Sequence, residues 1–294
     1  MSNNYEIFKV PTTPNLEVFY SQAKNDYKGC ILCIPGVCHG AWCFENFLSY
    51  FADNGYDCYA LSLRGHAGSE GYEKLNKYGL LEYSNDVKRC IEYCKSTECE
   101  YKMKSDPFLL GHSMGGAVVQ KYIGEYSNTI KGAILFASAT AGGMDFKKTM
   151  KDSATHKNLF LSNLVGLGFC KTMRISSIYK SAFFDRRITK ENAKLYKKKL
   201  CRESRKILFS DLYEEYTSNT DIDIPILVIG SYADSYFPQE SLIKTAKVFR
   251  CSEKDTRKHL EILPDLCHDM MLDEVEEGWK KSAKKVLEFI ENNK

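Results

Sequence analysis

Residues 107–116 constrain the fold of this chain more than any other segment. Their sequence, PFLLGHSMGG, is an apolar run that leads into a Gly-x-Ser-x-Gly pentapeptide and then into residues 117–126, which include several small and apolar residues. The apolar run is typical of a buried parallel strand, and the residues after it can pack as a helix under a sheet. A serine hydroxyl is a poor nucleophile unless a turn exposes it to a base and to backbone N–H groups. The segment therefore predicts that Ser113 is a nucleophile on a sharp strand-to-helix turn.

Strand-like and helix-like segments alternate along most of the chain, after two β-prone runs at residues 6–10 and 16–20 that predict a hairpin. Strands are predicted at 30–34, 57–61, 108–110, 132–137, 224–230 and 260–263, and helices at 42–53, 80–94, 117–126, 239–249 and 275–291. Such alternation predicts a mostly parallel sheet with helices on both faces. At 294 residues the chain is long enough for one large α/β domain with an insertion.

The loop that follows the predicted strand 30–34 is rich in small residues. It reads Pro-Gly-Val-Cys-His-Gly-Ala-Trp over residues 35–42. Ligands of such sheets bind beyond the carboxyl ends of the strands, so this loop can bring a backbone N–H close to a substrate oxygen. We expect the N–H groups of Val37 and Met114 to form an oxyanion hole. An ordinary strand-to-helix turn is the alternative.

Two later strand ends carry an aspartate and a histidine. Asp234 follows the predicted strand 224–230, and His268 follows the strand that ends at residue 263. We expect His268 to take the proton of Ser113 as a general base, and Asp234 to hold the imidazole in the correct tautomer. Asp265 and Asp269 are rivals for the acidic role, but each lies so close to His268 in sequence that a short loop seldom lets it reach the ring.

The other five histidines are expected to have structural or solvent-exposed positions. His112 adjoins the serine and cannot easily turn back to act as its base. His39 and His66 lie in glycine-containing loops, where ring packing and local hydrogen bonds suffice. His156 and His259 have polar neighbours.

Composition excludes several classes of protein. The net charge of +3 is too small to favour nucleic acid binding, which needs a clustered basic surface. The first ten residues lack the apolar core of a signal peptide, and no apolar run approaches the ~20 residues of a membrane span, so a cytoplasmic location is expected. Twelve cysteines are then expected to be free and mostly buried thiols. Cys30 and Cys33 form a C-x-x-C on a strand rather than at a helix start, so neither a metal nor a redox site is expected.

Four segments resemble the α/β-hydrolase superfamily, and within it the serine esterases and lipases grouped with lysophospholipases and monoacylglycerol lipases. Residues 111–116 resemble the nucleophile turn, 63–69 the Arg-Gly-His-Gly-x-Ser loop, 230–234 the acid loop and 267–269 the histidine loop. Two residues depart from the family pattern. Pro35 stands where a histidine usually precedes the oxyanion glycine, and Ala67 replaces a glycine of the second loop.

The resemblance implies an α/β-hydrolase fold with a Ser113–His268–Asp234 triad and no cofactor. The implied reaction is carboxylic ester hydrolysis through an acyl-enzyme, with a lipid-like monoacyl ester such as a lysophospholipid or monoacylglycerol as substrate. Residues 36–42 also resemble plant methyl esterases and hydroxynitrile lyases, so a small methyl-ester esterase or a lyase-like enzyme is an alternative. A ligand-binding protein of the same fold without turnover is a second alternative.

More than eighty residues separate the predicted strands 132–137 and 224–230. This length predicts a helical lid at 142–220 between core parts 1–141 and 221–294. The lid contains an apolar patch at 159–169, which can shield an acyl chain or join the lid to the core, and basic helices within 190–209. With 17 Lys and Arg against 8 Asp and Glu it carries +9, which leaves −6 for the rest. This charge could attract anionic substrates or an anionic lipid surface, or could serve only solubility.

Overall fold

The computed structural model describes residues 5–144, 180, 183–184, 187–217 and 219–294. Within these residues the strands are β1 Glu6–Val10, β2 Leu16–Ser21, β3 Gly29–Ile34, β4 Tyr56–Leu61, β5 Pro107–His112, β6 Gly132–Phe136, β7 Ile226–Ser231 and β8 Lys258–Leu263. They form one eight-stranded sheet in the order β1-β2-β4-β3-β5-β6-β7-β8. The pairs β1–β2 and β2–β4 are antiparallel and the remaining pairs are parallel, which confirms the predicted sheet.

The central strands have no solvent-facing side. Every residue of β3, β5 and β7 is buried, which explains why these strands are nearly continuous apolar runs. In the register of β3 with β5, Ile34 pairs with Gly111. The end of β3 therefore lies beside the turn that holds Ser113, as a ligand site at the carboxyl edge of the sheet requires.

Helices cover both faces of this sheet. Within the described residues the longer helices are α1 Glu45–Asp53, α2 Leu80–Lys95, α3 Met114–Tyr126, α4 Lys190–Lys199 in the insertion, α5 Gln239–Phe249 and α6 Gly278–Glu291. Apolar residues of α2, α3 and α5 pack in one core cluster, and those of α1 and α6 pack in another. Two clusters on opposite faces of a mostly parallel sheet are the α/β-hydrolase arrangement that the sequence predicts.

Some predicted boundaries were wrong. The predicted helix 42–53 begins as a 3₁₀ turn, Ala41–Phe44, before α1. The last helix begins at Gly278 rather than at Val275, because Glu276 and Glu277 have φ values of 50° and 54° and interrupt the helical path.

The insertion, which we define as residues 142–220, is described only in part. It contains α4 and a π-helical turn, Ile207–Asp211. The prediction of helices throughout 190–209 was wrong, because residues 200–204 are not helical and the Cys201 N–H donates to the Cys38 carbonyl outside the insertion (2.9 Å). The predicted apolar patch 159–169 and His156 lie outside the described residues.

The eleven cysteines among the described residues are free, and most are buried, as expected. In the same part of the chain, the helices are all too short or too polar to cross a lipid bilayer.

Candidate active site

Ser113 occupies a strained turn between β5 and α3. Its φ of 55° and ψ of −119° lie outside the regions that non-glycine residues normally adopt, a strain of about 1–3 kcal/mol that tends to occur at functional sites. Two glycines make the turn possible. A Cβ on Gly111 would overlap the Gly115 carbonyl, and a Cβ on Gly115 would overlap the Ile34 carbonyl. The turn is held in place by the Ser113 N–H, which donates to the Phe136 carbonyl (3.1 Å).

Ser113, His268 and Asp234 form a continuous chain of hydrogen bonds. His268 Nε2 lies 3.0 Å from Ser113 Oγ, and His268 Nδ1 lies 2.9 Å from Asp234 Oδ2. Asp234 Oδ1 accepts the backbone N–H groups of Tyr236 (2.7 Å) and Phe237 (3.0 Å), which fix the carboxylate. Because a carboxylate can only accept, Nδ1 carries the proton in the neutral ring and Nε2 directs its lone pair at the hydroxyl.

The environment of His268 favours a proton acceptor. The residue is 2% exposed. Burial disfavours the charged imidazole, but the nearby Asp234 carboxylate and its hydrogen bond outweigh burial and raise the pKa of His268. The loops that carry the pair are tied to each other, since the Leu266 N–H donates to Ser231 Oγ (2.8 Å) and the Tyr232 N–H to the Leu263 carbonyl (3.0 Å).

The two rival aspartates have other partners. The exposed Asp265 carboxylate accepts a hydrogen bond from Arg187 Nη1 (2.6 Å). Asp269 is fully buried, with Oδ2 3.2 Å from His39 Nε2 and Oδ1 3.6 Å from His112 Nε2. Burial would raise the pKa of Asp269, but the adjacent His39 ring lowers it. The structure thus brings Asp234, and not its rivals, to the Nδ1 side of His268.

Two other buried histidines, His112 and His39, pack around the candidate site. His112 is fully buried, which lowers its pKa to about 3, and its Nε2 bonds the His268 carbonyl (3.1 Å). His39 stacks on Trp42 and its Nδ1 bonds the Val37 carbonyl (2.7 Å), as expected from local packing. Its contact with Asp269 is a feature that sequence reasoning missed, since the two residues lie far apart in the chain.

The loop that carries Val37 lies against Ser113. A Cβ on Gly36 would come within 2.8 Å of the Ser113 Cβ, so only glycine allows this approach. Met114 is the first residue of α3, and a helix offers no internal acceptor for its first N–H groups. Both expected oxyanion donors are therefore on segments adjoining the serine hydroxyl, and their role remains a prediction.

Aromatic side chains from the insertion and the core surround His268. The ring of Phe183, in the insertion, lies 6.3 Å from that of His268 and 5.1 Å from that of His39. Tyr236 packs on His268 at 4.8 Å. These centroid distances place aromatic rings directly around the polar hydrogen-bond chain.

Glu203 is a buried carboxylate that the sequence analysis missed. Its Oε2 accepts hydrogen bonds from the Cys38 N–H (3.2 Å) and from His66 Nε2 (3.0 Å). Its Oε1 accepts bonds from the Tyr83 hydroxyl (2.9 Å) and the Ser204 N–H (2.7 Å). Burial would raise the pKa of Glu203, but the adjacent His66 lowers it, so the carboxylate is anionic. The residue lies in a basic stretch that reads as a solvated helix, so no sequence signal marks it.

Within the described residues, one group of buried side chains has metal-ligand chemistry. His112, His268 and Asp269 have candidate ligand atoms within 4.8 Å of one another. An ion bound there would compete with the contacts of His268 to Ser113 and Asp234.

The fold and the Ser113–His268–Asp234 contact beyond the strand ends define the class of the α/β-hydrolases. The family model described as serine aminopeptidase, S33, matches residues 25–275. The chain belongs to this family.

Three individual proteins illustrate the similarity. The chain is 26% identical to proline iminopeptidase of Chitinophaga pinensis over 114 residues, and 31% identical to protein phosphatase methylesterase 1 of Candida albicans over 121 residues. These alignments cover 39% and 40% of this chain but only 35% and 31% of the relatives. A candidate lipase of Acinetobacter baumannii has the same fold, with a TM-score of 0.71 and 16% identity over 99% of this chain and 93% of that chain.

Proposed function

We propose that this protein is a serine hydrolase that cleaves carboxylic esters through an acyl-enzyme intermediate. The observation that carries the proposal is the unbroken hydrogen-bond chain from Ser113 Oγ through the His268 ring to Asp234. Family membership supports the use of a serine nucleophile, since the matched model is described as a serine aminopeptidase.

The geometry suggests a role for each residue. Ser113 Oγ attacks the ester carbonyl while His268 Nε2 takes the hydroxyl proton, and Asp234 stabilises the imidazolium. The N–H groups of Val37 and Met114 bind the oxyanion. His268 then donates the proton to the leaving alcohol, which leaves the acyl group on Ser113. A water molecule, deprotonated by His268, releases the acid and restores the serine.

We further propose a lipid-like ester with one long acyl chain, such as a lysophospholipid or monoacylglycerol, as the substrate. Support comes from the aromatic rings of Phe183 and Tyr236 beside His268, which favour an apolar acyl group over a polar one. The insertion contributes Phe183 to this wall, which is consistent with a lid that covers the acyl chain.

The similarities favour two further substrate classes that the same chemistry can serve. The family description and the Chitinophaga proline iminopeptidase favour an amide bond next to a free amino terminus. The Candida protein phosphatase methylesterase favours a methyl ester. Both differ from a monoacyl lipid in the size and polarity of the group on either side of the scissile carbonyl, so a substrate panel separates them.

The test combines a nucleophile probe with that panel. A fluorophosphonate probe should label the wild-type protein at Ser113 and leave Ser113→Ala unlabelled. Ser113→Ala should retain its thermal unfolding midpoint but lose about 10⁶ in kcat. Among p-nitrophenyl esters from acetate to palmitate, kcat/KM should rise with chain length and exceed kcat/KM for methyl esters and aminoacyl anilides. Full hydrolysis by pure Ser113→Ala would contradict the mechanism, and a preference for anilides would contradict the substrate class.

A further inference from the structure

The peptide group between Val37 and Cys38 is held at both of its polar atoms. The Val37 carbonyl accepts a hydrogen bond from His39 Nδ1 (2.7 Å), and the Cys38 N–H donates to Glu203 Oε2 (3.2 Å). The next carbonyl, that of Cys38, accepts the Cys201 N–H (2.9 Å). Residues 201–203 of the insertion therefore bond this loop from outside, much as a neighbouring strand would.

Cys38 needs this external support. Its φ of 63° lies in the left-handed region, which a non-glycine residue adopts at an energetic cost. Its N–H is buried and requires an acceptor. Because Val37 precedes this peptide directly, the orientation of the Val37–Cys38 peptide restricts the backbone that presents the Val37 N–H to Ser113.

The environment of Glu203 requires an anionic acceptor. The four groups described above all direct donors at it, namely the Cys38 N–H, His66 Nε2, the Tyr83 hydroxyl and the Ser204 N–H. His66 Nδ1 faces the Arg64 carbonyl (3.1 Å), which can only accept, so both ring nitrogens of His66 face acceptors. An amide in place of the carboxylate would set its NH₂ group against a backbone N–H, that of Cys38 or that of Ser204, which cannot turn to accept.

We infer that Glu203 is a positioning residue, through which the insertion holds the oxyanion loop in its reactive conformation. This inference rests on the proposed function, because it assigns the Val37 N–H to the oxyanion. The oxyanion hole is then complete only with residues 201–203 docked on Cys38, so the insertion supplies part of the catalytic geometry as well as covering the site.

The experiment compares Glu203→Gln with Glu214→Gln, which neutralises an exposed carboxylate of the insertion that bonds Ser210. Active sites are first counted with a fluorophosphonate probe. Per active site, Glu203→Gln should lower kcat on a short-chain ester about 10- to 100-fold with KM within about threefold, since losing an oxyanion donor outright costs about 10²–10³. Affinity for a trifluoromethyl ketone, which forms the oxyanion, should fall by the same factor as kcat/KM. Glu214→Gln should match the wild type.

If Glu203 had only a structural role, the result would differ. Glu203→Gln would then lower the unfolding midpoint and the labelled fraction but leave kcat per site and ketone affinity unchanged, and this result would overturn the inference. If Glu203→Gln does not fold, His66→Gln and Tyr83→Phe test the inference instead, because each removes one hydrogen-bond partner of Glu203. Both variants should lower ketone affinity more than substrate affinity. Wild-type protein that neither reacts with the probe nor hydrolyses esters would instead overturn the proposed function.

Discussion

Two of the buried histidine–carboxylate pairs among the described residues have nearly the same geometry. His268 Nδ1 lies 2.9 Å from Asp234, and His66 Nε2 lies 3.0 Å from Glu203. All four side chains are at most 5% exposed. In each pair a carboxylate accepts a hydrogen bond from one ring nitrogen, so the contact itself does not distinguish a general base from a structural support.

The second nitrogen of each ring makes the difference. His268 Nε2 faces the Ser113 hydroxyl, which can donate a proton, whereas His66 Nδ1 faces the Arg64 carbonyl, which cannot. His268 thus keeps a lone pair for catalysis, and His66 is saturated by two acceptors. The role of each buried histidine therefore depends on the partner of its second ring nitrogen rather than on the carboxylate.

The largest expected effect on kcat comes from replacing the histidine of each pair in turn. His268→Gln should lower kcat by about 10⁵–10⁶, because no other described group can take the Ser113 proton. His66→Gln should cost only about 10- to 100-fold, because it acts through the position of the loop. Steady-state kinetics of both variants, normalised to folded protein by circular dichroism, measure the difference. Equal losses of kcat in the two variants would contradict the different roles of His268 and His66.

The carboxylates should follow the same order. Asp234→Asn should lower kcat about 10⁴-fold, because an amide at this position favours the wrong tautomer of His268. Asp265→Asn is the matched control in the neighbouring loop. Its carboxylate is exposed and bonds Arg187, so kcat should stay within about twofold. Asp269→Asn should fall between the two, because Asp269 contacts His39 and His112 and acts on His268 through its charge rather than through a hydrogen bond. A collapse in Asp265→Asn with Asp234→Asn active would assign the acid to the other loop.

The pH dependence of kcat/KM also distinguishes the two pairs. Catalysis needs neutral His268, so kcat/KM should fall as the pH drops through the pKa of His268, which Asp234 raises above the ordinary histidine value of about 6.5. Asp234→Asn removes the nearby negative charge, so the midpoint of the acid limb should move to lower pH. Glu203→Gln should lower the plateau without moving the midpoint. A midpoint that shifts in Glu203→Gln and not in Asp234→Asn would reverse the roles of the two pairs.

The smallest expected effect concerns the basic surface of the insertion. Lys199 bonds Glu45 (2.8 Å) and lies over Trp42, so the test uses the exposed Lys194 and Lys198 of the same helix. Lys194→Gln/Lys198→Gln should raise KM two- to threefold for an anionic lysophospholipid and less for a neutral monoacylglycerol. The expected increase in KM is small because salt screens exposed charges over ~8 Å.

The matched control places the same charge change on the core. Lys131→Gln/Lys254→Gln removes two exposed charges outside the insertion and should leave both KM values unchanged. Added salt should raise KM for the anionic lipid more in the wild type than in the insertion variant. Equal effects on both lipids would mean that the charge of the insertion serves solubility alone.

Local sequence patterns were sufficient to predict the sheet and to place Ser113, Asp234 and His268 at its carboxyl edge. The apolar run before Ser113, the glycines around it and the alternation of strands and helices are properties of neighbouring residues, and they predicted the parallel sheet correctly. The order of Asp234 and His268 at successive strand ends placed both at the same edge of the sheet, because parallel strands all end there. These inferences needed no knowledge of distant contacts.

Tertiary structure alone decided how the oxyanion loop is held. Glu203 lies 165 residues from Cys38 and 137 from His66, within a stretch whose basic composition predicted a solvated helix. Asp269 and His39 are equally remote in sequence. A charged residue is normally exposed, and nothing local reveals that distant donors will surround it and offset the cost of burial. Which carboxylates become buried, and what faces the second nitrogen of each histidine, depends on how the insertion folds back over the strand ends.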